Sequence, residues 1–145
     1  MKKILFIDFD GTICHDYYWR SLPGEQYKSI QKFLFQDRIN IVMGWMRGEH
    51  TAEEINHLVA DHLKISFESL WEVFIKDCKS MHVEQRILDK LTVLRSEYIL
   101  ILITGNMDSF SRFTVPALQL EEYFDIISNS FDEKLLKTDN DGELF

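Results

Sequence analysis

An α/β fold is the class this sequence predicts: a doubly wound parallel sheet with a helical block inserted near its start. Three observations carry this. Short, unbroken apolar runs occur at residues 4–7 and 98–104, each ending in polar residues, and DIISNS (125–130) is a third short strand candidate. Runs so short and solid suit strands covered on both faces. Apolar residues at helical spacing fill the stretches between them, and no strand pattern interrupts residues 25–79. Strand–helix alternation at both ends of the chain argues for a parallel sheet.

Taken in order, ILFI (4–7) forms the first strand, and Gly11-Thr12 breaks it. DYYWRSLPG (16–24) reads as a loop ending in a Pro-Gly turn. Tyr27, Ile30 and Phe33/Leu34 then recur at helical spacing, as do Ile39, Val42 and Trp45/Met46 before Gly48 ends the pattern. Thr51-Ala-Glu-Glu54 is a capping-box signature, with Ile55, Leu58, Val59 and Leu63 following on one helical face. Ser66 can cap the next helix, which carries Leu70, Trp71, Phe74 and Ile75. Ile87, Leu88, Leu91 and Leu94 make one more amphipathic helix. YILILITGN (98–106) is the second strand. Asp108 or Ser109 starts a helix that Pro116 interrupts. DIISNS (125–130) is the third strand, and the turn-rich tail KLLKTDNDGELF stops where a new helix is expected to begin, at Phe145.

Composition bounds the function. A chain of 145 residues suits one domain with a small insert, and 46% hydrophobic with 28% charged residues is ordinary for a soluble globular protein. A net charge of -8 argues against nucleic acid or an anionic membrane held by bulk charge. It leaves room for a phosphorylated substrate, since a local cation overrides the net field. Cys14 and Cys78 make neither a metal nor a disulfide pattern, which fits a reducing cytoplasm. No apolar run is long enough to span a membrane, and the first one ends in acids, unlike a signal peptide.

The chemistry concentrates at strand ends. Parallel α/β sheets bind ligands at the C-terminal ends of their strands. This architecture brings Asp8 and Asp10, Thr104 and residues 128–130 to one edge. Alternation along an extended segment points Asp8 and Asp10 to the same side and turns Phe9 away. Of two such carboxylates, one can serve as nucleophile or metal ligand and the other as general acid/base. Gly11 lets the backbone turn sharply, and Thr12 can tie the turn.

FIDFDGT (6–12) closely resembles the first motif of the haloacid dehalogenase-like (HAD-like) hydrolase superfamily, whose members are mostly phosphatases. The resemblance implies that Asp8 attacks phosphorus and that Asp10 protonates the leaving group and then activates water. It places Mg2+ between the Asp8 carboxylate, the Asp10 backbone carbonyl and the phosphate. ILILITGN (99–106) resembles the second motif, with the Thr104 hydroxyl and the backbone amide of Gly105 or Asn106 holding a phosphate oxygen. YFDIISNSFDEKLLK (123–137) resembles the stretch leading to the third-motif lysine, where the usual spacing falls on Lys137, with Lys134 the alternative. The fourth motif, further aspartates at another strand end, is missing. The resemblance implies a shortened chain, weak Mg2+ binding, poor turnover and an apolar sheet edge open to self-association, unless Asp132, Asp139 or Asp141 substitutes.

The resemblance also divides the chain into a core of residues 1–15 and 82–145 and a helical cap of residues 16–81. Trp45, Met46 and Trp71 read as cap core. Tyr17, Tyr18 and Trp19 line the entrance or pack cap against core. Arg20 and Arg47 read as solvated, or as meeting a second anion, and His15 reads as loop. The expected activity is hydrolysis of a small phosphorylated metabolite. Phosphoryl transfer within a sugar phosphate and non-catalytic binding stand as alternatives.

Overall fold

In the computed structural model, which describes residues 1–141, three parallel strands form one sheet in the order β1-β2-β3. They are β1 (Lys3–Ile7), β2 (Tyr98–Thr104) and β3 (Ile126–Asn129). β1 pairs with β2 from Lys3↔Tyr98 to Ile7↔Leu102, and β2 pairs with β3 from Ile101↔Ile126 to Thr104↔Asn129. This register sets the residue after β1, Asp8, beside the C-terminal end of β2. The tail expected to begin a helix at Phe145 lies outside the described residues.

The central strand β2 is the buried one, with Leu100, Leu102, Ile103 and Thr104 all inside. β1 departs from the expectation of a strand covered on both faces: Ile4 is 55% and Phe6 42% exposed. The reason is its place at the edge of the sheet formed by the described residues.

The helices follow the sequence periodicity. α1 (Gly24–Ile30) starts directly after Pro23 and runs on into a π-helical turn, Gln31–Gln36. α2 (Ile39–Met46), α3 (Ala52–Leu63), α4 (Phe67–Lys79) and α5 (Gln85–Leu94) follow. The capping box forms on both sides: Glu54 N–H donates to Thr51 Oγ1 at 3.3 Å, and Thr51 N–H donates to Glu54 Oε2 at 2.8 Å. Ser66 caps α4 by accepting from Ser69 N–H at 3.2 Å. After β2 the helix beginning at Asp108 passes through Pro116 instead of stopping before it. Its turn widens to a π-helix over Phe110–Thr114, and α6 (Val115–Leu118) then ends at Gln119. Widening relieves the clash of a proline ring with the preceding turn. The short α7 (Ser130–Glu133) follows β3.

Two apolar clusters result. Trp19, Ile30, Leu34, Trp45, Ile55, Leu70 and Phe74 form one within the helical block. Phe9, Leu91, Leu100, Leu102, Phe110 and Phe124 form the other around the sheet. Tyr18 packs against both. Cys14 and Cys78 are buried and free. No helix among the described residues is long and apolar enough to cross a membrane.

A buried carboxylate ties the helical block to the segment after β2. Asp108 accepts from the Trp45 indole N–H at 2.7 Å, from Ala52 N–H at 3.1 Å and from the Arg112 guanidinium at 2.9 Å. Arg112 in turn grips Glu53 with two bonds, at 2.8 and 2.6 Å, and holds that carboxyl below its ordinary range. Removing Asp108 would strand two buried donors and half of a guanidinium. Asp108→Ala is therefore expected to cost roughly 3 kcal/mol, lowering the melting temperature by about 10 °C. Thermal unfolding followed by circular dichroism measures it, and a shift under about 2 °C would mean the junction contributes little.

Candidate active site

The site is built where β1 and β2 end. Phe9 is 1% exposed and meets the Phe110 ring edge-on at 4.9 Å, so Asp8 and Asp10 point the other way. The turn behind them is tied by the Phe9 carbonyl, which accepts from the amides of Thr12, Ile13 and Cys14 at 3.0–3.2 Å. Gly11 sits within it at φ 70°, a region where a side chain is strained.

Asp8 Oδ2 pairs with Lys137 Nζ at 2.5 Å, and Asp8 Oδ1 accepts from Phe9 N–H at 2.8 Å. Lys134 lies elsewhere, over the Phe131 ring and donating to the Gly48 carbonyl at 3.5 Å. The two segments meet so closely there that a β-carbon on Gly48 would sit 2.8 Å from the Phe131 carbonyl.

Asp10 is held by Asn106, whose Nδ2 donates to Asp10 Oδ2 at 2.8 Å and to Thr104 Oγ1 at 3.3 Å. Asn106 is itself oriented by the Tyr18 hydroxyl, which donates to its Oδ1 at 2.8 Å. The Asn106 backbone N–H donates to Ser130 Oγ at 3.0 Å, and Ser130 Oγ donates back to the Asn106 carbonyl at 3.1 Å. Thr104, Asn106 and Ser130 are all buried. Asp10 keeps solvent on one side but packs on the other. That desolvation, with the Asp8 charge second, pushes its carboxyl up to about 6, against the opposing pull of Lys137 and Asn106.

Asp8, Asp10, Gly105, Lys137, Met46, Leu136 and Thr138 line one cavity of about 260 Å³. The structure thus gathers Asp8, Asp10, Gly105 and Lys137 around one space, with Thr104 and Asn106 packed behind. Two carboxylates on a shared cavity form a hard donor set of the kind Mg2+ takes, with waters and substrate oxygens completing its shell. Among the described residues no cluster of three acid, His or Cys side chains is placed to hold a metal. Asp132 accepts instead from Ser111 Oγ at 2.6 Å. Asp139 forms a bidentate pair with Arg47, at 2.9 and 3.1 Å, and caps Leu136 N–H at 2.9 Å. The Arg47 bond, with the backbone bond second, holds the Asp139 carboxyl below its ordinary value.

Sequence reasoning missed three of these roles. Tyr18 reaches Asn106 across 88 residues, and Arg47 reaches Asp139 across 92. Ser130 belonged to a stretch already placed at the edge, but its bonds to Asn106 had no local signature. Asn106 was marked for its position after Thr104-Gly105; its side chain is what touches Asp10.

No family model and no curated relative matches the chain. Solved structures do. A HAD family enzyme from Bacteroides thetaiotaomicron is similar over 95% of this chain and 73% of its own, with a TM-score of 0.72 and 20% identity. The same enzyme in complex with magnesium and inorganic phosphate aligns over 96% and 74%, with a TM-score of 0.67 and 18% identity. A HAD-like family hydrolase from Porphyromonas gingivalis aligns over 97% and 72%, with a TM-score of 0.69 and 16% identity. The chain therefore has the Rossmann-type fold of HAD-like enzymes.

Proposed function

We propose that the protein is a Mg2+-assisted phosphohydrolase acting on a small phosphorylated substrate. The observation that carries the reading is the pairing of Asp8 with Lys137 on the cavity that Asp10 also faces, at the C-terminal edge of the sheet. Two fold relatives add support, one of them seen with magnesium and phosphate and the other named a hydrolase.

In this reading an Asp8 carboxylate oxygen attacks phosphorus. The bond from phosphorus to the substrate oxygen breaks, and Asp10 delivers its proton to the departing alkoxide. Asp10 then takes a proton from water, which attacks the same phosphorus and frees phosphate and the Asp8 carboxylate. An acid raised to about 6 is suited to both transfers near neutral pH. Lys137 offsets charge between nucleophile and phosphate. The Gly105 amide would meet a phosphate oxygen, with the Thr104 hydroxyl behind it turning toward the phosphate once substrate is bound. Asn106 works through its side chain, fixing Asp10, since its amide is committed to Ser130. The Asp8 carboxylate and the Asp10 backbone carbonyl would hold Mg2+, which would neutralise charge on the phosphoryl oxygens and leave the Asp10 carboxyl for proton transfer. Residues 16–81 act as the cap that shields the reaction and selects the substrate.

The rival reading, a non-catalytic binding protein, draws on the two-carboxylate donor set. Phosphate release from a generic aryl phosphate, with and without Mg2+, separates them. Release that depends on Mg2+ is expected. Its absence across a wide Mg2+ range, in folded protein, would sink the hydrolase reading.

A further inference from the structure

A second cavity, of about 270 Å³, opens on the other side of Asp10. It shares Asp10 and Gly105 with the first, so the two spaces meet at the group assigned as acid/base. Their linings differ. Tyr17, Tyr18, Trp19, Phe35, Met81 and Met107 wall the second, and its polar side chains are those of Asp10, Asp16, Gln31 and Asn106. Among the described residues none of its lining groups is a Lys, Arg or His. The nearby guanidiniums are engaged elsewhere. Arg20 donates to the carbonyls of Tyr17 and Asp77 at 3.0 and 2.9 Å and to Ser80 Oγ at 2.8 Å, and Arg47 is paired with Asp139.

The wall is set in advance. Trp19 lies at φ 59°, a strained region for a bulky residue, which persists only where the surroundings over-determine it. Those surroundings are its indole N–H bond to Asn56 Oδ1 at 2.9 Å and its tilted contact with the Phe74 ring, centroids 5.1 Å apart. Two residues on, Ser21 is pinned through its amide and hydroxyl to the buried Asp77 carboxylate at 3.0 and 2.5 Å.

We infer that this cavity receives the alcohol portion of the substrate, and that this portion is compact, apolar and free of a second anionic group. The inference rests on the phosphohydrolase reading for the phosphate's place beside Asp8. The volume equals about nine waters, enough for a single ring. Apolar surface buried against aromatic and Met side chains is favourable. A second phosphate or carboxylate would lose its water against those rings and face Asp16, with no cation among the described lining residues to offset either penalty.

The test uses non-hydrolysable probes, so it does not depend on turnover. Benzylphosphonate and phosphonoacetate present the same phosphonate with a ring or a carboxylate. With Mg2+ present, titration calorimetry is expected to show benzylphosphonate binding at least ~10-fold tighter. Phe35→Ala is expected to weaken benzylphosphonate about tenfold and leave phosphonoacetate nearly unchanged. Gln31→Lys, which puts a cation on the rim, is expected to shift the preference toward phosphonoacetate. Equal affinities, a wild-type preference for phosphonoacetate, or no binding of either probe would overturn the inference. In parallel, phosphate release from benzyl phosphate, a hexose 6-phosphate and phosphoglycolate, all primary alkyl esters, judges the hydrolase reading by itself. Turnover that favours phosphoglycolate would keep the hydrolase and reject the apolar pocket.

Discussion

Asp8→Asn is expected to reduce phosphate release by at least ~10⁴-fold while leaving the fold in place, because removing a nucleophile eliminates the covalent route entirely. The substitution is nearly isosteric. The amide oxygen can still accept from Phe9 N–H, so the turn after β1 keeps its bond. What the fold loses is the charge facing Lys137, in a pair whose side chains are 40% and 26% exposed. Solvent screens such a pair, so its loss costs about 1 kcal/mol or less. The expected signature is thus a large kinetic effect beside a small thermal one. Lys137→Ala makes the comparison sharper: it breaks the same ion pair and removes a charge offset, yet keeps the nucleophile, and should leave measurable activity. If Asp8→Asn retains activity within a factor of ten of the unaltered protein, the covalent step through Asp8 is wrong.

How much of this was legible in the sequence follows from how local each feature is. The aspartate pair, the Gly-Thr turn and the strand ends are readable because an apolar run that stops at acids is a local conflict with burial. The Thr51–Glu54 box and the Ser66 cap were readable for the same reason, since all their partners lie within three residues. The position of β1 was not. ILFI states what a strand prefers, not which neighbours it has, and Ile4 remains 55% exposed. Nor were the π-helical turns at Gln31–Gln36 and Phe110–Thr114, whose extra residue per turn leaves the apolar spacing almost unchanged. The chain from Tyr18 through Asn106 to Asp10, and the clamp of Arg47 on Asp139, join residues 88 to 96 apart. Tertiary geometry alone selects those partners. Arg47 shows the consequence: spacing offers a free or substrate-binding arginine, while the fold uses it two residues past Lys137 to hold the turn on which that lysine sits.

Asp10→Asn is expected to have two opposite effects, which together test both its role and its environment. Turnover should fall by roughly 10²–10⁴-fold, the usual worth of a positioned acid/base. Stability of the metal-free chain at pH 7 should rise. The folded carboxyl titrates at about 6 against an ordinary 3.8, so between those values the folded state holds more protons than the unfolded one. Stability then falls as pH rises through that window, and the full penalty is present above it. Burial and the nearby Asp8 charge are its causes, and an amide escapes both while still accepting from Asn106 Nδ2. The shift sets a ceiling of about 3 kcal/mol, but solvent on the open side of Asp10 reduces the effect to ~1 kcal/mol, or about 3 °C. Thermal melts of both proteins in chelator at pH 4 and pH 7 should show the variant ahead at pH 7 and the two nearly level at pH 4. Added Mg2+ should stabilise the unaltered protein and narrow the gap, because a cation between the carboxylates removes the repulsion that the variant avoids. A variant that melts lower than the unaltered protein at pH 7 without metal would show that Asp10 contributes more to the fold through its bonds than burial of its charge takes away.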